Sequence, residues 1–217
     1  MCWNAPASLV SFIVGTIINI SVLLYFKAPI ITSICILWQW VLMMQISEYF
    51  VWKGQDKGQK NSQLTLGTQA ALVFNVTQPL VAFLCLMMIS KVKMSFKIVA
   101  SVVILFYVSF MLLNLNRQKE YNALSPTLKC EHISLQWWDD IKNSGYLYTI
   151  VLLVTILLLL RPYNLSLFIT SYLIITSVIS SIFYSCGQAS MWCWIVVPFP
   201  IFLGIFYKQC LEKSNVN

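Results

Sequence analysis

Long apolar runs recur along the chain, separated by short clusters of charged and turn residues, and they mark out seven stretches: residues 7–26, 29–52, 65–89, 98–116, 145–160, 163–185 and 190–208. Each run is continuously apolar and does not alternate at every second position, which excludes the strands of a membrane barrel. In lipid, a helix closes its backbone hydrogen bonds within its own segment, and about 20 apolar residues reach across the hydrocarbon layer. The pattern therefore predicts an all-α fold, an integral membrane bundle of seven transmembrane helices with residues 1–217 as a single domain. The connection 117–144 is the one sizeable polar segment, and a short helix lying on the membrane surface is expected there.

Prolines punctuate the runs. Pro29 opens the second and Pro162 the sixth, while Pro79 interrupts the third and Pro198 with Pro200 the seventh. The correspondence suggests a three-plus-one-plus-three plan with a parallel three-helix pseudo-repeat, as in small transporters whose broken helices expose backbone to a substrate.

Composition removes the soluble alternative. Of 217 residues 59% are hydrophobic and 10% charged, the mean hydropathy is +0.78, and a soluble domain would have to expose that excess to water. Polar side chains inside the runs then become the informative ones, because each is costly unless it faces protein or water. Glu48 is the only acid within a run; it shares a helix face with Gln45, Trp38 and Trp52, and the third run aligns Thr68, Asn75 and Gln78 at spacings of seven and three. A cluster of Gln45, Glu48, Asn75 and Gln78 is expected, serving either as a site for a small polar solute or ion or as a polar clamp between helices. Ser166, Thr170, Ser177, Ser180 and Ser181 in the sixth run suit close helix packing.

Lys and Arg divide evenly between the two ends of such a bundle, seven each. The end holding Lys27, Lys91, Lys93, Lys97, Arg161, Lys208 and Lys213 has Glu212 as its only acid, which favours an external or lumenal N-terminus and a cytoplasmic C-terminus. Cys2, Cys130, Cys186 and Cys193 fall at or near the N-terminal side, where disulfides are expected, with Cys130 joined to Cys186 or Cys193 and the full pairing open. Trp3, Trp52, Trp137, Trp138, Trp192 and Trp194 share that side, as an interfacial belt does. The sequons at Asn19, Asn75 and Asn164 are not expected to carry glycan, because the first two lie in spans and the third on the inner side.

The net charge of +7 is spread over short connections, so it points to anionic lipid headgroups and not to nucleic acid. No metal is expected: His132 with Glu131, Cys130, Asp139 and Asp140 matches no zinc spacing. The catalytic and phosphate-binding motifs are missing too, so neither a cofactor nor an enzymatic activity is expected. The last run has no lysine for a retinal Schiff base. A signal peptide and a lipid anchor are likewise not expected, since no basic residue precedes the first run and neither end carries a lipidation pattern.

Met1-Cys2-Trp3-Asn4 followed by Ser8-Leu9, and then Met44-Gln45-Ile46-Ser47-Glu48-Tyr49-Phe50-Val51-Trp52, resembles an uncharacterised family of Met-Cys-Trp polytopic membrane proteins of large DNA viruses, protists and some bacteria. The similarity covers the first two runs, with weaker echoes at Gln78-Pro79 and from Cys130 to Trp138. Where that family has Gly-His-Leu, this chain has Glu131-His132-Ile133. The resemblance implies a viral or microbial membrane protein and carries no activity with it.

Two functions follow from the whole reading. One is a transporter or channel for a small polar solute or ion, using Gln45, Glu48, Asn75 and Gln78. The other is a non-transporting viral or host membrane scaffold that binds lipids or other membrane proteins; an oligomer is compatible with both. Access of Glu48 to a hydrated cavity would separate them.

Overall fold

The computed structural model describes residues 4–56, 62–117, 127–129, 132–134, 144–183 and 197–212. Helix α1 (Ala5–Phe26) starts at Asn4, whose side-chain oxygen accepts the Ala7 N–H at 2.9 Å, supplying one of the first-turn donors with a partner. It ends at Lys27, where the backbone turns left-handed (φ 47°) and the Lys27 N–H closes on the Leu23 carbonyl. Two residues later α2 (Pro29–Asp56) opens on proline, at a position where the missing N–H has no helical use.

The third run is two helices, α3 (Ser62–Val76) and α4 (Gln78–Ile89), bent by 46° at Thr77. Pro79, in the first turn of α4, has no N–H to give the Asn75 carbonyl, so the ladder breaks where the chain bends. Helices α5 (Met94–Arg117), α6 (Ser144–Leu159), α7 (Tyr163–Phe183) and α8 (Phe199–Phe206) follow, and α8 continues into a π-helical turn, Tyr207–Glu212.

Among the described residues four helices are long and apolar enough to cross a membrane (α1, α2, α5 and α7), or five if α3 and α4 form one bent span; Gly145–Leu159 is a shorter apolar helix. The fold is thus all-α and suited to a bilayer over the spans expected at 7–26, 29–52, 65–89, 98–116 and 163–185. The run expected at 190–208 emerges as the eight-residue α8, and residues 184–196 lie outside the described part.

The polar connection departs from expectation. Residues 127–129 and 132–134 form an antiparallel strand pair, β1 (Thr127–Lys129) with β2 (His132–Ser134), and the rest of the connection, where a surface helix is expected, lies outside the described residues. Thr-Leu-Lys and His-Ile-Ser each alternate polar, apolar, polar, the period of a strand. Of the residues weighed as a metal set, His132 lies in β2, while Cys130, Glu131, Asp139 and Asp140 lie outside the described residues, as do the disulfide candidates Cys2, Cys186 and Cys193. Cys35 and Cys85 are free thiols within helices.

Helix α2 is the axis of the bundle. Its apolar window is 61% buried, against 17% for α1 and 22% for α5. Helices α1, α3 and α4 pack on α2, α5 and α6 on α4, α7 on α6, and α8 on α1. Trp38 of α2 stacks on Phe199 of α8 (centroids 3.9 Å apart), and Tyr172 of α7 meets the same ring, joining α2, α7 and α8. Outward faces are aliphatic: Ile13, Ile17 and Leu24 on α1 and Ile98, Val102 and Leu105 on α5 are exposed, the arrangement that lipid tails require and water would not tolerate.

Candidate functional site

The polar residues of α2 meet the bent span at two levels. At one, Gly67 lies against the α2 backbone so closely that a Cβ there would come 2.7 Å from the Val51 nitrogen and 2.9 Å from the Ser47 oxygen. At the other, the Trp40 indole N–H donates to the Thr77 hydroxyl at 3.0 Å, with Phe74 edge-on to the Trp40 ring. These contacts fix α3 antiparallel to α2. Position 48 is then level with Gly67 and Thr68, and position 78 with Trp38 to Trp40.

All four expected site residues are buried, Gln45 at 0% exposure, Glu48 and Gln78 at 1% and Asn75 at 8%. The register spreads them along the helix pair in steps of about one turn: Glu48, then Gln45, then Asn75 level with about position 42, then Gln78. At a rise of 1.5 Å per residue, the eight to ten residues of α2 between position 48 and positions 38–40 span roughly 12–15 Å. Glu48 stands about six residues, or ~9 Å, from the middle of α2.

The break at Thr77 is braced from three neighbours. Trp40 reaches it from α2. From α5, the Tyr107 hydroxyl donates to the Val76 carbonyl at 2.8 Å, and from α6 the Tyr148 hydroxyl donates to the Gln78 side-chain oxygen. Thr77 in turn donates its hydroxyl to the Val73 carbonyl at 2.6 Å. A bend in lipid needs such partners, because no water reaches the polar groups it uncovers.

Beside the break lies a cavity of about 20 Å³ between α2, α4, α6 and α7. Gln78 and Trp38 border it, and the rest of its wall is aliphatic, including Ile34, Val41, Leu152 and Ile169. That is room for about one water, which needs two to four polar partners to stay. Glu48 is not on its wall.

A second polar junction was not singled out from the sequence. The Asn19 amide nitrogen donates to the Cys35 carbonyl at 2.8 Å and to the Gln39 side-chain oxygen at 3.2 Å, and the Gln39 amide nitrogen donates to the Thr16 hydroxyl at 3.0 Å. The available signal was spacing: positions 16 and 19 share one face of α1, and 35 and 39 one face of α2. Along α7 the hydroxyls serve packing and their own helix: Ser166 donates to the Ile156 carbonyl of α6 at 3.2 Å, and Thr176 to the Tyr172 carbonyl at 2.8 Å.

Comparison with protein-family models, with curated proteins and with solved structures finds no match to this chain.

Proposed function

We propose that the chain is a seven-span transporter or channel for a small polar solute or ion, with its pathway closed in this conformation and Glu48 as the group that meets the permeant species. The observation that carries this is the Glu48 carboxyl, 1% exposed within the candidate span Pro29–Gln55 of the central helix, which packs on the span broken at Thr77. A carboxyl there is expensive and marks a pathway by default. Broken spans next to such groups are where transporters place their sites. Thr68 belongs to the Glu48 level, and Gln45, Asn75 and Gln78 continue the polar line along the same helix pair.

Seven spans require α6 and the α8 region to cross as well. The Ser90 hydroxyl donates to the Leu159 carbonyl at 2.8 Å, and Arg161 lies over the Phe96 ring at 5.6 Å. Both contacts tie the end of α6 to the α4–α5 connection, so α6 runs beside them through the bundle. Its 16 residues measure about 24 Å, a shortfall of a few Å that local thinning of the bilayer absorbs. The resemblance at Met1 to Asn4, Ser8-Leu9 and Met44 to Trp52 supports a viral or microbial membrane, and the proline positions support the three-plus-one-plus-three plan.

The test is proton and ion flux in liposomes holding the purified chain, native against Glu48→Gln. Flux that is lost in the variant while its helical content and thermal transition persist supports the site. A second reading, a non-transporting scaffold, is favoured by the closure of Glu48 from the cavity beside the break. Absence of flux under proton, sodium, potassium and chloride gradients selects it.

A further inference from the structure

The turns at one end of the bundle are held together as a unit. Phe26, Ala28, Ile89, Val92, Leu160 and Tyr207 all pack on or within the same core, and Phe26 meets Tyr207 edge-on at 5.4 Å. That end carries Lys27, Lys91, Lys93, Lys97, Arg161 and Lys208, and each is at least partly exposed. Among the described side chains the one acid is Glu48, about 28 Å away along α2 from its start at Pro29. Six cations therefore face outward with no carboxylate among the described side chains of that end, whose only acid in the sequence is Glu212.

Arg161 is the most organised of the six. Its guanidinium gives both Nη1 hydrogens to the last carbonyls of α6, Leu157 at 3.0 Å and Leu160 at 2.8 Å, and one Nη2 hydrogen to the Tyr163 hydroxyl at 2.7 Å. It also lies 3.7 Å from the centroid of the Tyr163 ring. A guanidinium has five N–H donors. Three of the five are engaged, which leaves two donors, the Nε–H among them, with no acceptor among the described residues, available to oxygens of a phosphate. Lys91 and Lys93 stand exposed on the connection tied to Arg161 through Phe96, and the exposed side chains of Met94 and Tyr163 sit at the same height, where anchoring residues meet the headgroup layer.

We infer that this end is a binding surface for anionic phospholipid headgroups, with the lipid phosphate on the free donors of Arg161 and Lys91, Lys93 and Lys97 supplying the surrounding charge. The placement selects a lipid over a soluble phosphate, because the donors open at the membrane border between lipid-facing helices. The surface is independent of whether the chain transports.

The experiment takes the full chain from bilayers of phosphatidylcholine and phosphatidylglycerol and weighs its retained lipids by native mass spectrometry. Phosphatidylglycerol should be enriched over its bilayer fraction. Lys91→Gln, Lys93→Gln and Lys97→Gln together should lower the enrichment by about fivefold or more. Arg161→Lys, which keeps the charge and removes the guanidinium donors, should lower it severalfold, and Lys53→Gln at the opposite end should leave it unchanged. Retained lipid that mirrors the bilayer, or enrichment that survives the lysine variant, overturns the inference. So does displacement of the retained lipid by inorganic phosphate, which would mark a site for the free anion.

Discussion

The contact between Gly67 and α2 is made by the absence of a side chain. The atoms a Cβ would strike, the Val51 nitrogen and the Ser47 oxygen, are backbone of a central helix and cannot turn aside. At Gly15 the obstacle is the tip of Leu42, with Cδ2 at 2.6 Å, which a rotamer change moves. Gly→Ala within a helix also gains roughly 1 kcal/mol of propensity, so Gly15→Ala should come out near neutral. Gly67→Ala should cost about 1–3 kcal/mol through overpacking and loosen the pairing that buries Glu48. Unfolding of both variants in detergent checks the ranking, and equal stabilities would show that α3 can shift away from α2 at little cost.

Among the helices, the runs of apolar residues were legible because a bilayer imposes length and continuity on every span: the start of α2 at Pro29, the end of α4 at Ile89 and the interruption at Pro79 all follow from residue types alone. What the sequence did not disclose is which polar face meets which neighbour. Gln45, Glu48, Asn75 and Gln78 were recognisable as buried polar residues, but their order along the helix pair depends on the register of α3 against α2, which Gly67 and the Trp40–Thr77 bond set. The Asn19–Gln39 junction was missed for the same reason, and the strand pair at 127–129 and 132–134 because three-residue strands carry too little alternation to stand out. Pairing information also decides how the bend is held. A straight helix would put Cα atoms 66 and 88 about 33 Å apart, and a 46° bend midway shortens that by about 3 Å. With spin labels at the exposed positions Leu66 and Met88, Pro79→Ala alone should keep the short distance, since Trp40, Tyr107 and Tyr148 still hold the break. Adding Tyr107→Phe and Tyr148→Phe should lengthen it. Straightening by Pro79→Ala alone would assign the bend to the proline and leave the braces as followers.

Over the whole molecule, charge and connectivity become one argument. The proposed seven-span plan puts seven Lys and Arg on each side of the membrane, a tie that residue numbers cannot break. The arrangement of the turns favours one orientation, because the cations of one end are carried on short connections packed against a common core, Lys27 between α1 and α2, Lys91 and Lys93 between α4 and α5, and Arg161 between α6 and α7. Positive charge on short connections close to helix ends is the kind that resists translocation, and an anionic inner leaflet attracts it further. With the basic end in the cytoplasm, the proposed seven spans would leave the N-terminus outside and the C-terminus in the cytoplasm. Epitopes fused at the two ends of the chain in intact cells should show it: the N-terminal tag reached by antibody without permeabilisation, the C-terminal tag only after it. The reverse pattern would put the basic end outside, and both tags on one side would mean an even number of crossings, leaving either α6 or the α8 region on the surface of the bilayer.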